Sequence, residues 1–187
     1  MTRALPSSRR RVAAVLAAAI AFVAAGAGTG RAADPVTPSA LKAAFLLNFA
    51  KFADWSSVQP AAMLVLCVAN DDQLGEALTA SVRGQAIDGH GIEVRRIKGD
   101  SPIAACHLLF VPASDARQVL TKLGGSEARL TVSDAPGFAQ SGGLIELFQE
   151  NGRMRFAVNV DTARRSGVRL SSRLLDLAKI VRTDHGQ

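Results

Sequence analysis

The chain has 187 residues with 22 Lys and Arg against 16 Asp and Glu, a formal net charge of +6, and 48% hydrophobic residues. Five of those cations (Arg3, Arg9, Arg10, Arg11 and Arg31) precede Asp34 while all the acids follow Ala33, so the remainder carries 17 cations against 16 acids, a net +1. The high pI therefore comes from the N-terminal segment and gives no ground for a nucleic-acid partner.

That segment has the layout of a secretory signal peptide: basic residues, an apolar run from Val12 to Ala27, then small residues up to Ala33. At roughly 16 residues the run falls short of the ~20 needed to cross a bilayer, so a cleaved signal is preferred to an anchor. Gly30 and Ala32 suit cleavage just after Ala32. Ser8 to Arg11 faintly resembles a twin-arginine signal, but a basic start to a Sec signal explains it as well, and Sec export to the periplasm is expected. Residues 1–33 are read as the signal and 34–187 as a single domain, without an internal repeat or low-complexity linker.

The mature chain is expected to open with a helix from Ser39 to about Asp54, with Leu41, Ala44, Phe45, Asn48, Phe49 and Phe52 on one face. Leu46 and Leu47 lie off that stripe, which makes the apolar surface wider than one face needs. Burial on two sides explains this, or contact with a partner or a second copy in a homodimer. Met63 to Ala69 is a continuous apolar run of strand length, suited to a strand covered on both faces. A helix from about Gln73 to Ser81, strands at Ile92–Ile97 and Leu108–Val111, a helix from about Ser114 to Leu123 stopped by Gly124-Gly125, and a strand at Leu130–Val132 follow.

Asn151-Gly152 between two strand-like runs predicts a hairpin with a two-residue turn. Its register sets Glu150 opposite Arg153, Gln149 opposite Met154, Leu147 opposite Phe156 and Ile145 opposite Val158. Asp161 is expected to cap a short helix ending at Arg164, Arg165 and Gly167. Ser171 is expected to cap a last helix, Ser172 to Val181, with Leu174, Leu177, Ala178 and Val181 on one face and a frayed tail from Thr183. The pattern predicts an α/β fold: a three-layer-like domain, a mixed sheet flanked by helices with a C-terminal antiparallel hairpin.

Cys67 and Cys106 remain in a chain bound for an oxidising compartment, where a pair is expected to be bridged. Cys67 falls late in its strand and Cys106 at the start of another, too far apart for simple parallel neighbours. Either the strands are offset or Cys106 belongs to the preceding loop. A structural staple is the plainer reading of the pair, and a redox switch its functional alternative.

His90, His107 and His185 are scattered and read as surface or loop residues, with no local zinc spacing. The glycines at 84–91 and 124–125 form neither a dinucleotide fingerprint nor a P-loop, and no serine sits in a nucleophile elbow. No catalytic, metal or cofactor site is expected.

Several segments taken in order resemble one family: Lys42-Ala43-Ala44-Phe45 with Asn48-Phe49-Ala50-Lys51-Phe52 and Trp55; Leu66-Cys67-Val68; Cys106-His107-Leu108-Leu109-Phe110; Leu130-Thr131-Val132-Ser133-Asp134; Phe138-Ala139 with Gly142-Gly143; Arg155-Phe156 with Asn159; and Leu170-Ser171-Ser172 with Leu174-Leu175 and Leu177-Ala178. Across roughly residues 40 to 181 the chain resembles the YfiR family of periplasmic proteins. The resemblance implies a small exported protein without catalytic activity or cofactor. Such a protein restrains a membrane diguanylate cyclase through the cyclase's periplasmic sensory region, lowering cyclic di-GMP and biofilm formation, and is itself sequestered by an outer-membrane lipoprotein. It also implies that Cys67 and Cys106 match the family's cysteine positions. The chain lacks the second cysteine pair of some relatives, which puts fully redox-gated action in doubt, and has Ser56 where many carry proline. Phe45, Leu46, Leu47, Phe49, Leu174 and Leu177 are the candidate interface residues, with core packing as the alternative for most of them. A small-molecule-binding module signalling to another receptor, such as a histidine kinase, is the second reading.

Overall fold

A computed structural model describes residues 36–99, 102–123 and 129–183. The expected signal segment, the Gly124-Gly125 stop, His185 and residues 184–187 of the expected frayed tail lie outside the described residues; Thr183, where that tail is expected to begin, is held, its N–H donating to Asp161 at 3.2 Å and its hydroxyl accepting from Asn159 at 2.6 Å.

The Thr37 hydroxyl accepts the Ala40 N–H at 3.1 Å and Pro38 occupies the first turn, so α1 runs Pro38–Lys51. It stops short of the expected Asp54 because Phe52 caps it and the chain then pairs elsewhere: Ala53 bridges Leu170, and the Asp54 N–H donates to the Arg169 carbonyl at 2.9 Å. The buried face also differs from the expected stripe. Leu41, Ala44 and Asn48 face solvent, while Ala43, Leu46, Leu47, Phe49 and Ala50 are buried. Positions 43, 46, 47 and 50 form a second helical stripe beside 45, 49 and 52, so periodicity alone does not select between them.

β1 (Leu64–Ala69) is buried along its whole length, as an unbroken apolar run predicts. Asp71 caps α2 (Asp72–Val82), its carboxylate accepting the Leu74 N–H at 2.9 Å. A small hairpin joins β2 (Ala86–Ile87) to β3 (His90–Ile97) through Asp88-Gly89, both at positive φ, 50° and 82°. β4 (Leu108–Val111), α3 (Ala116–Leu123) and β5 (Leu130–Ser133) follow as expected.

β6 (Ile145–Glu150) and β7 (Arg153–Asn159) form the expected hairpin in the expected register, from Ile145 opposite Val158 to Glu150 opposite Arg153. Asn151 and Gly152 both take positive φ, as the two-residue turn demands. The cap of α4 (Val160–Arg165) is Asn159, not Asp161: its side-chain oxygen accepts the N–H groups of Asp161 and Thr162 at 3.0 and 2.9 Å. Ser171 caps α5 as expected, but α5 spans only Ser172–Asp176. Lys179–Val181 forms β8, parallel to β7. The spacing of Leu174, Leu177, Ala178 and Val181 fits a helix, yet Val181 gains more by packing on Ala157 beside β7, and Leu177 is left in solvent.

The eight strands form one mixed sheet in the order β2-β3-β1-β4-β5-β6-β7-β8, with β3, β1, β4, β5 and β6 mutually parallel. Alternate residues send Leu66, Val68, Leu108, Phe110, Val132 and Phe156 into a large core beneath α1 and α2. The opposite residues, Val65, Cys67, Leu109 and Val111, meet Ile103 and Val119 of α3 in a smaller cluster. The fold is therefore three-layered, with unequal layers.

Candidate functional site

Cys67 and Cys106 form a disulfide, with Cα atoms 5.7 Å apart. The register opposes Cys67 to Leu109, so Cys106 is not in β4 but in the connection ahead of it. A turn closed by the Cys106 N–H and the Ile103 carbonyl, 3.0 Å, folds that connection back over the smaller cluster. Of the two geometries open from the sequence, the loop placement is the one adopted.

The residues beside the disulfide are fixed on several sides. The Arg129 side chain donates to the Cys106 carbonyl at 3.0 Å, and the Leu130 N–H to the His107 carbonyl at 2.9 Å. His107 binds Val65 twice: its N–H donates to the Val65 carbonyl at 2.9 Å, and its Nδ1 accepts the Val65 N–H at 2.9 Å. The Trp55 ring meets the His107 ring edge-on at 6.1 Å. Because Nδ1 accepts a bond from the backbone, the neutral ring with its proton on Nε2 is the form that fits. Burial, then the nearby His90, Arg129 and Arg95, hold the His107 pKa below its ordinary value. His90 is buried, its Nδ1 2.9 Å from the Ala62 carbonyl. His90, buried at the start of β3, is thus not the expected surface or loop residue, whereas His107 lies, as expected, in the connection ahead of β4, half-buried and held by Val65. Among the described residues no three His, Cys, Asp or Glu side chains group as metal ligands.

The expected interface residues divide sharply. Leu46, Leu47, Phe49 and Leu174 are buried in the main core. Phe45 is half-buried, its ring 6.2 Å from Phe156 and 5.9 Å from Phe49, which stacks 5.0 Å from Phe156. Leu177 is 72% exposed. Only Phe45 and Leu177 of the six thus retain open surface.

At the C-terminal ends of the parallel strands the fold assembles residues that spacing had not singled out as a site. Lys42 of α1 pairs with Asp134, just past β5, and its ammonium lies 5.7 Å from the Phe110 ring centre. The other Asp134 oxygen accepts the Ala113 N–H at 2.9 Å. A cavity of about 500 Å³ opens here, lined by Lys42, Asp134, Pro136, Glu146, Phe148 and Met154 among others.

The connection from β5 to β6 that borders this cavity is held by side chains of the sheet. Glu146 accepts the N–H groups of Gly137 and Ala139, each at 3.1 Å, and Asn159 donates to the Ala139 carbonyl at 2.6 Å. Thr131 accepts the Leu144 N–H and Ser133 the Ala135 N–H, both at 3.1 Å. Gly143 has no room for a side chain, since a Cβ would lie 2.1 Å from the Phe138 ring. Thr131, Ser133, Asp134, Asn159 and Gly143 all belong to the segments that carry the resemblance, and their contacts give those segments a physical role. Lys42 and Asp134 neutralise each other and Glu146 is taken up by backbone donors. The polar groups around the cavity are thus satisfied within the fold.

No helix among the described residues is long and apolar enough to cross a membrane. Among curated proteins none matches the chain. The family model described as YfiR/HmsC-like matches residues 39–179, from the start of α1 to the start of β8. With the disulfide, the resemblance segments and this match all falling within one domain, the chain belongs to the YfiR/HmsC-like family.

Proposed function

We propose that this chain is an exported, non-catalytic regulatory protein that restrains a membrane diguanylate cyclase by binding the cyclase's periplasmic sensory region. The observation that carries this reading is the family match across residues 39–179, which is consistent with a regulator of such a cyclase. The Cys67–Cys106 bond supports an oxidising compartment, and the signal-like N-terminal sequence supports export to the periplasm through Sec. Repression by binding needs no nucleophile. The chain has only to bind the inactive form of the sensor more tightly than the active form, and that difference in affinity sets how far the equilibrium moves. An outer-membrane lipoprotein that sequesters the chain would relieve the repression by mass action.

Deleting the gene is expected to raise cyclic di-GMP and surface attachment, and the tagged chain is expected to co-purify with the cyclase. Unchanged cyclic di-GMP with no cyclase in the purified complex would refute the proposal. The cavity beside Lys42 and Asp134, about 500 Å³, favours the second reading, a module that senses a small molecule for another receptor such as a histidine kinase. Under that reading a kinase, and not a cyclase, accompanies the purified chain.

A further inference from the structure

The two edges of the sheet differ in a way that bears on how a partner binds. At one edge, β2 covers the start of β3, and further along β3 the Glu93 and Arg95 side chains are joined at 2.6 Å, a charged edge that discourages strand pairing. At the other edge β8 has β7 on one side and, among the described residues, no strand on the other. Here Ile180, in β8, is 45% exposed, and Leu177, which ends α5 two residues before the strand, is 72% exposed.

Charge is just as uneven. From Arg153 to Arg182 the chain holds eight Lys and Arg residues and two acids, in a protein whose residues from Asp34 onward nearly balance. Arg155, Arg164 and Arg169 pair with Glu150, Asp161 and Asp54. Arg173, Lys179 and Arg182 are exposed and have no carboxylate partner among the described residues.

We propose that β8 is the docking edge for an extended, acidic segment of a partner protein, which adds as a ninth strand. Ile180 is in register with Val158 and so lies on the α1 side of the sheet, whereas Lys179, in register with Ala157, lies on the other and approaches the Phe148 ring. A strand laid beside β8 with apolar and acidic residues in alternation meets Ile180 with the first and Lys179 with the second. Backbone bonds supply affinity, and the cations around β8 supply selection and faster encounter. A second copy of this chain is a poor occupant, because pairing β8 with itself brings the two sets of cations together. Short edge strands normally resist such addition; here Leu177, exposed two residues ahead of β8, adds apolar surface to that of Ile180. The inference rests on the regulatory reading above and specifies the surface that reading requires.

The test places a photo-crosslinking residue in the full chain at Ile180, with Glu93 at the opposite edge as control, and maps the product in intact cells by mass spectrometry. The expected product joins Ile180 to an acidic, strand-forming segment of a membrane sensor. It should fall about tenfold with Lys179→Glu and Arg182→Glu together, and persist with Lys179→Arg and Arg182→Lys. A product with a second copy, a product with a neutral or basic segment, or no product at Ile180 overturns the inference. If the captured acidic strand belongs to a protein other than a cyclase, the docking edge stands and the cyclase reading falls. If the charge-reversed variant still represses the cyclase as the wild type does, the docking edge falls and the cyclase reading stands.

Discussion

On the face of the sheet beneath α1 and α2, Leu46, Phe49, Leu74 and Leu78 close over Leu66, Val68, Phe110 and Val132 in a core that reaches from α1 to α5. On the opposite face, the described residues that cover Val65, Leu109 and Val111 are Ile97, Ile103, Val119 and the disulfide. Fully burying a large apolar side chain contributes about 1.5–3 kcal/mol, so the first face holds its helices mainly through packing. Among the described residues the second buries fewer such groups around its connection. The Cys67–Cys106 bond, reinforced by the Arg129 and His107 hydrogen bonds, supplies the remainder.

That contrast can be broken most directly at the disulfide. Replacing Cys67 and Cys106 with alanine removes a crosslink spanning 39 residues and should cost about 4 kcal/mol in the chain-entropy estimate. Urea unfolding of the oxidised protein and the double variant checks it, and a loss below about 1 kcal/mol would mean that the thin face holds itself. Leu46→Ala on the thick face should cost about 3 kcal/mol, and by the same amount with the disulfide intact or reduced, because the two sites share no contacts. Asn159→Ala should cost about 2 kcal/mol in thermal unfolding, since it removes both the cap of α4 and the bond to the Ala139 carbonyl.

The smallest expected effect sharpens the same comparison through pH. His107 has a lowered pKa in the folded chain, so the folded state binds fewer protons there than the unfolded state does. Its contribution is complete above about pH 6.5, the ordinary imidazole value, and is lost as the pH falls below it toward the lowered folded value. Stability measured from pH 7 to 5 should decline, and less steeply in His107→Gln, whose amide oxygen can accept the Val65 N–H without titrating. An equal slope in both proteins would remove His107 from the account.

The hairpin at Asn151-Gly152 was legible down to its register because two positive-φ residues set the loop length and a one-residue slip would reverse every side chain. The buried face of α1 was not legible, since its apolar residues satisfy two helical stripes and only the sheet selects one. β8 was hidden for a related reason: its residues continue the helical spacing of α5, and only the open side of β7 makes a strand the better outcome. The Asp88-Gly89 turn that marks β2 carried a readable hairpin signal beside a strand too short to show any pattern. At the candidate sites, the expected compartment and the family resemblance both pointed to the cysteine bridge, while the position of Cys106 depended on a loop that folds back. Lys42 and Asp134 are 92 residues apart in sequence, and nothing local to either announces the other.

The central claim is that this chain acts by binding, from outside the cytoplasm, to the sensor of a diguanylate cyclase. The most direct measurement reconstitutes the full-length cyclase in proteoliposomes and follows cyclic di-GMP synthesis as the oxidised, mature chain is added on the sensory side. The account predicts a saturable fall in synthesis. Synthesis that stays constant while the chain is titrated to saturation would contradict it.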